Sequence, residues 1–152
     1  MAEIRVSTVI DASPEQVWDD VRDVSTHVEW MHDAVAIRFT SPRQEGLGTT
    51  FDCDTRVGPI RLTDRMEITE WEHARRMGVR HVGLVTGTGV FTLAPVGMSA
   101  TSFTWTEDLR FPWWMGGPVG AVVGGRVMRW IWRRNLRLLK ARIEQRHPAV
   151  DA

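Results

Sequence analysis

The chain has 152 residues, 43% of them hydrophobic and 25% charged, a composition typical of one soluble globular domain. Nineteen basic residues balance nineteen acidic ones, so the net charge gives no reason to expect a nucleic-acid partner. The single cysteine, Cys53, excludes an internal disulfide, and the charged start of the chain lacks a secretory apolar core. The uncharged run of residues 111–125 is rich in glycine and proline and too short to span a bilayer. We therefore expect a soluble, cytoplasmic protein.

The first elements are predicted from alternation and capping signals. Residues 3–11 are rich in Val, Ile and Thr, and Ile4, Val6, Thr8 and Ile10 occupy every second position. This pattern predicts a strand with one buried face. Ser13 suits a helix N-cap, Pro14 the first helical position and Gln16 the third position of a capping box. A second short helix is predicted over residues 26–32. Two short helices thus follow the first strand.

The middle of the chain is patterned as strands. Apolar side chains recur at every second position between short groups of turn residues, and connections this short pair consecutive strands antiparallel. The predicted strands cover residues 35–40, 49–57, 60–71, 76–82, 89–95 and 101–110.

Residues 118–146 predict one long helix with an apolar arc over about half of its circumference. The arc consists of Val127, Met128, Ile131, Trp132, Leu136, Leu138, Leu139 and Ile143, with Asn135 and Arg142 inside it. The other side carries a basic stripe of Arg126, Arg129, Arg133, Arg137 and Lys140. Such an arc needs a concave partner, so we predict an α+β helix-grip fold, a curled seven-stranded antiparallel sheet around this helix. The domain would cover residues 1–147, with 148–152 as a short tail.

Several segments resemble the START/Bet v 1-like (SRPBCC) superfamily, which includes polyketide cyclase/dehydrase and lipid-transport proteins. They are residues 10–18, Trp30, residues 101–105, residues 132–136 and residues 139–140. The resemblance covers nearly the whole chain and is specific for the fold, but the superfamily has no common catalytic motif. It implies a hydrophobic cavity between sheet and helix that binds lipids, polyketides, quinones or similar apolar molecules.

Four polar residues lie in phase with apolar ones: Asp64, His81 and Glu107 on strands, and Asn135 on the helix. Because burying an unpaired polar group costs free energy, each needs a partner, a water or a ligand. One interpretation makes them polar anchors in an apolar cavity. In the other, Asp64 and Glu107 pair with Arg56, Arg76 or Arg142, or reach solvent at strand ends. The predicted ligand contacts are Phe51, Leu62, Asp64, Met66, His81, Phe91, Phe103, Trp105, Glu107, Ile131, Asn135 and Leu138. Trp113 and Trp114 are expected at the cavity mouth.

No metal and no other cofactor is predicted. His27 and His32 are five residues apart and diverge on a helix, so we interpret them as surface histidines. Cys53 is expected in the interior, where a lone cysteine acts as a small hydrophobe rather than a nucleophile.

Three functions remain open. The first is non-enzymatic binding and transfer of a hydrophobic small molecule. The alternative is a polyketide aromatase/cyclase or dehydratase in which Glu107, Asp64 or His81 moves protons. The third is a protein-interaction module that uses the basic helix. The lack of tyrosine and of an acid–base pair at fixed spacing favours the binding protein, a monomer or homodimer. Its basic stripe is either a solvated face or a contact for an anionic membrane surface or a carrier protein.

Overall fold

The computed structural model describes residues 2–148. These residues form a seven-stranded antiparallel sheet, one short α-helix, two 3₁₀ helices and one long C-terminal α-helix. The strands are β1 (Ala2–Ile10), β2 (Ala34–Phe39), β3 (Thr50–Val57), β4 (Ile60–Glu72), β5 (Arg76–Val82), β6 (Thr86–Val96) and β7 (Ala100–Arg110). The α-helices are α1 (Pro14–Val21) and α2 (Gly117–Arg146), and the 3₁₀ helices are Val24–Glu29 and Trp113–Met115.

The order of strands in the sheet is β1-β7-β6-β5-β4-β3-β2. Strands β2 to β7 therefore pair with their chain neighbours, and β1 joins the far edge beside β7. Strand bulges at Ala34/Ala36 in β2 and at Ile68/Glu70 in β4 bend the sheet. The predicted α+β helix-grip fold is confirmed.

The capping signals after β1 act as predicted. Ser13 Oγ accepts a hydrogen bond from the Gln16 amide at 3.2 Å, and Gln16 Oε1 accepts one from the Ser13 amide at 3.0 Å. The next helical segment is a 3₁₀ helix that begins at Val24, earlier than predicted, because Asp23 caps it through the Ser25 amide.

Strand β6 is also longer than predicted, because two of its glycines are paired residues and not part of a turn. Gly87 has φ 132°, and a Cβ there would lie 1.9 Å from the carbonyl oxygen of Asp108. Only glycine fits this close approach to β7.

Helix α2 changes character along its length. Trp132, Leu136, Leu139 and Ile143 are buried, and Trp132 stacks on Trp105 with ring centroids 4.6 Å apart. The prediction that the apolar arc is buried throughout is wrong at its start, since Val127 is 42% exposed. The glycine-rich first half of α2 therefore leaves space between itself and the sheet. Within residues 2–148, no helix is long and apolar enough to cross a membrane.

Candidate functional site

A cavity of about 1230 Å³ lies between the inner face of the sheet and the first half of α2. Ligand pockets usually enclose roughly 300–1,000 Å³, so this cavity has room for a ligand at the upper end of the usual size range. Its sheet side is largely apolar, and the apolar side chains there include Phe51, Leu62, Met66, Val79, Phe91 and Trp105. The curled sheet supplies one wall, and the helix supplies the other only as far as Trp132.

Eight of the twelve predicted ligand contacts line this cavity: Phe51, Leu62, Asp64, Met66, His81, Phe91, Trp105 and Glu107. The structure places Phe103, Ile131, Asn135 and Leu138 outside the lining. Phe103 is fully buried behind Phe91, with ring centroids 5.1 Å apart. Asn135 and Leu138 follow Trp132 along α2, beyond the end of the cavity. The periodic spacing of apolar residues identified the buried face of each element, but it did not show where along the helix the cavity ends.

Asn135 holds α2 to the segment that directly precedes β2. Its side-chain amide donates to Asp33 Oδ1 at 2.7 Å, and its oxygen accepts from the His32 amide at 3.0 Å. Trp132 Nε1 donates to the other Asp33 oxygen at 3.3 Å. Since Asn135 is fully buried with both of its polar atoms bonded, we replace its predicted ligand contact with a structural role. Asp33 lines the cavity but was not predicted, because the residues around it show no apolar alternation.

Three polar side chains form one cluster in the cavity wall. His81 Nδ1 lies 2.7 Å from Asp64 Oδ2, and His81 Nε2 lies 3.3 Å from Glu107 Oε2. Glu107 Oε1 accepts a hydrogen bond of 2.9 Å from Trp105 Nε1. Neither predicted alternative was complete, because the carboxylates pair with the histidine and not with an arginine.

The sheet register explains how these residues meet. His81 lies on β5 opposite Gly87, and Glu107 lies on β7 opposite Gly89, so β6 separates them. A Cβ at Gly89 would lie 3.0 Å from Glu107 Oε1. Gly89 thus leaves room above β6 for Glu107 to reach His81, a relation that spacing along the sequence does not reveal.

The cluster holds a buried positive charge. Burial alone would lower the pKa of His81, but its hydrogen bond to Asp64, its contact with Glu107 and the two negative charges raise it to about 10. His81 is therefore an imidazolium at neutral pH. Two carboxylates around it leave the cluster with one net negative charge.

Two buried atoms of the cluster lack hydrogen-bond partners among the described residues: Asp64 Oδ1, an acceptor, and His81 Nε2, a donor. Nε2 lies close to Glu107, but the geometry does not make a hydrogen bond. Buried polar atoms are seldom left unpaired. Both atoms lie beneath the cavity surface, so a molecule in the cavity can bond to them only after the side chains rotate.

Three further predictions concern His27, Cys53 and the tryptophan pair. The prediction of a surface His27 is wrong: its ring is buried, Nε2–H donates to the Val21 carbonyl at 2.8 Å, and burial lowers its pKa to about 4. Cys53 is buried as predicted, and burial raises the pKa of its thiol to about 12, which leaves little nucleophilic thiolate. Trp113 lines the cavity and is largely exposed, whereas Trp114 is exposed outside the lining.

In the described part of the chain, no group of three or more His, Cys, Asp or Glu side chains is arranged to hold a metal ion.

Solved structures share this fold. A START superfamily protein from Mycobacterium smegmatis matches with a TM-score of 0.78 and 12% identity, over 95% of this chain and 99% of that chain. The Zhui aromatase/cyclase from a Streptomyces species matches with a TM-score of 0.73 and 16% identity, over 99% and 98% of the two chains. A conserved protein from Geobacillus kaustophilus has a TM-score of 0.75 and 16% identity, over 94% and 95%. At these identities the likeness shows the fold alone.

The sequence identifies the family. Comparison with curated proteins found no match. The family model for polyketide cyclase/dehydrase and lipid transport matches residues 1–144, nearly the whole chain. The chain therefore belongs to the polyketide cyclase/dehydrase and lipid transport family.

Proposed function

We propose that this protein binds and transfers a hydrophobic small molecule, of lipid, polyketide or quinone-like character, in the cavity between sheet and α2. The cavity itself carries the proposal: its volume is about 1230 Å³, and its wall is largely apolar. An apolar wall gives affinity by desolvation, and a few polar groups fix the orientation of the ligand. Membership of the family supports this class of ligand.

The polar cluster narrows the chemistry of that ligand. Asp64, His81 and Glu107 all line the cavity, so a ligand with a hydroxyl beside a carbonyl has hydrogen-bond acceptors and a donor at this part of the wall. A ligand carboxylate would meet the net negative charge of the cluster. We expect the bound molecule to be neutral at this end, as an enol, phenol or hydroxyketone is.

Bulky side chains placed in the cavity should weaken ligand binding. The double variant Leu62→Trp/Val79→Trp places two indoles in the space, since both residues line the cavity and are only partly buried. We expect the affinity for the neutral dye Nile red to fall by about tenfold or more, that is by about 1.4 kcal/mol. Dye fluorescence measures this, and native mass spectrometry with organic extraction shows whether the purified protein carries its own ligand.

The matched control is Leu47→Trp, since Leu47 is exposed and lies outside the cavity lining. It adds the same indole and should leave dye affinity unchanged. Equal dye affinity in the wild type and the double variant, with both folded by circular dichroism, would contradict ligand binding in this cavity.

The second candidate is a polyketide aromatase/cyclase or dehydratase, and the polar cluster is the observation that favours it. A protonated His81 polarises a carbonyl by donating through Nε2, and the carboxylate of Asp64 or Glu107 accepts a proton from the adjacent carbon. His81 is a poor general base, because its raised pKa leaves little neutral imidazole. The mass of the bound molecule separates the two functions: a binding protein releases it unchanged, whereas a cyclising dehydratase releases it without one water.

The remaining proposals concern location and partners. We propose a cytoplasmic protein, a monomer or homodimer. The third hypothesis is interaction through the basic stripe. Lys140 of this stripe is already engaged within the protein, because it donates to the Val9 carbonyl at 2.8 Å and pairs with Glu144. The four arginines of the stripe are exposed.

A further inference from the structure

A band of apolar side chains is exposed beside the cavity mouth. Trp113 is 84% exposed, Val119 74% and Trp130 63%. We call this band the rim surface, which consists of Trp113, Trp114, Val119, Val122, Val123, Val127 and Trp130. Proteins rarely expose a contiguous apolar area of this kind unless it meets a partner or a membrane.

The exposed face of α2 is graded from apolar to basic. Val119, Val123, Arg126, Trp130 and Arg133 follow one another at intervals of three or four residues, so they share one side of the helix. The face begins with two valines, and two arginines flank Trp130 further along.

The charge of this region is one-sided. Residues 109–143 contain eight basic residues and no acidic one. Exposed arginines lie along α2 beside and beyond the rim surface, at Arg126, Arg129, Arg133, Arg134 and Arg137. Among the residues that the structure describes, none of the five forms an ion pair with a carboxylate.

We propose that the rim surface docks on an anionic lipid bilayer, with the mouth of the cavity facing the membrane. Tryptophans favour the interface between headgroups and acyl chains, and valines enter the acyl boundary. The arginines then pair with anionic headgroups, whose surface potential attracts basic residues. An anionic bilayer thus provides an apolar region for the tryptophans and valines and negative charge for the arginines.

The same residues join the membrane contact to the cavity. Trp113, Val122, Val123 and Val127 are exposed and also line the cavity. A hydrophobic ligand at the docked mouth passes between lipid and protein without crossing water, a step that rests on the proposed function. Docking itself depends only on the exposed side chains.

A second copy of this chain fits the surface less well. A twofold interface places the same patch against itself, and here that brings the arginines of α2 together with no carboxylate between them. An acidic carrier protein would match the positive charge of the arginines, but its acidity gives the exposed valines no apolar partner.

Vesicle co-sedimentation tests the proposal, with phosphatidylcholine vesicles prepared with and without phosphatidylglycerol. We expect the wild type to bind the vesicles that contain phosphatidylglycerol, and to bind them less at high salt. Val122→Asp/Val123→Asp and Arg126→Glu/Arg129→Glu should each weaken this binding by about tenfold or more.

The controls make matched changes elsewhere on the surface. Val9→Asp/Val35→Asp places the same charges at two exposed strand valines, and Arg5→Glu/Arg61→Glu repeats the charge reversal on the sheet. Both should bind vesicles like the wild type. The cavity-filling variant Leu62→Trp/Val79→Trp should also keep vesicle binding, which separates docking from ligand binding.

Three results would overturn docking on an anionic bilayer. The first is equal sedimentation with and without phosphatidylglycerol, and the second is rim variants that sediment like the wild type while folded. The third is a wild-type dimer, seen by light scattering, that Val122→Asp/Val123→Asp dissociates, since it assigns the rim surface to a second copy.

Discussion

The free energy of unfolding should fall as the pH rises from about 7 to about 10. The pKa of folded His81 is about 10, whereas its ordinary value is 6.5. Between these values the folded protein keeps a proton that the unfolded chain has released, so stability falls by at most about 1.4 kcal/mol per pH unit. The stabilisation is complete below pH 6.5 and is lost as the pH passes about 10. Urea denaturation over this range measures it.

Asp64→Asn should remove most of this dependence. The substitution keeps the shape of the side chain but removes the charge beside His81 Nδ1, so burial lowers the pKa of His81 towards its ordinary value. Weakening a buried ion pair in this way should cost about 3 kcal/mol at pH 7. Nuclear magnetic resonance of the imidazole gives the pKa, and urea denaturation gives the free energy.

The matched control lies on the same two strands. Glu67 on β4 pairs with Arg80 on β5 at 2.7 Å, on the exposed face of the sheet. Glu67→Gln should cost about 1 kcal/mol or less and leave the pH dependence between 7 and 10 unchanged. If Asp64→Asn keeps the wild-type pH dependence, the cluster does not hold a charged histidine.

Asp20→Asn should destabilise the attachment of α2 to α1. The Asp20 carboxylate is buried and accepts from Arg142 Nε at 3.0 Å and from Arg146 at 2.9 Å. Hydrogen bonds to charged groups contribute about 1.5–3 kcal/mol each, but Arg142 keeps its second partner, Glu29. We therefore expect a loss of about 2 kcal/mol in urea denaturation. Amide hydrogen exchange should quicken at the C-terminal end of α2 more than in the sheet.

Glu15→Gln provides the comparison on the same helix, since Glu15 pairs with His73 at 2.8 Å while both side chains are exposed. This change should cost less than about 1 kcal/mol. Equal losses for the two variants would show that the buried carboxylate does not secure α2.

Local sequence patterns were enough to predict the kinds of secondary structure and their order. The capping box at Ser13 and the alternation from residue 34 to residue 110 are local signals, and they act within a few residues of the chain. Short connections allowed only antiparallel pairing of neighbours, and the apolar arc of α2 required a concave sheet. These constraints, with the resemblance to the superfamily, were enough to predict the fold.

Which polar residues act together depends on contacts between distant parts of the chain. Asp64, His81 and Glu107 were each identified from the spacing of apolar residues, but their contact depends on sheet register and on Gly89 of β6. The roles of Asn135 and His27 also changed. Phase shows that a side chain is buried but does not show whether it meets a backbone group, a carboxylate or a cavity.

The extent of the cavity was decided in the same way. The apolar pattern of α2 is continuous from Val127 to Ile143, and yet the helix closes on the sheet only from Trp132 onwards. Periodicity fixes the direction of each side chain around the helix axis, because that direction depends on local geometry alone. The distance between helix and sheet depends on packing between residues far apart in sequence, such as Trp132 on Trp105 and Asn135 on Asp33, so it appears only in the folded chain.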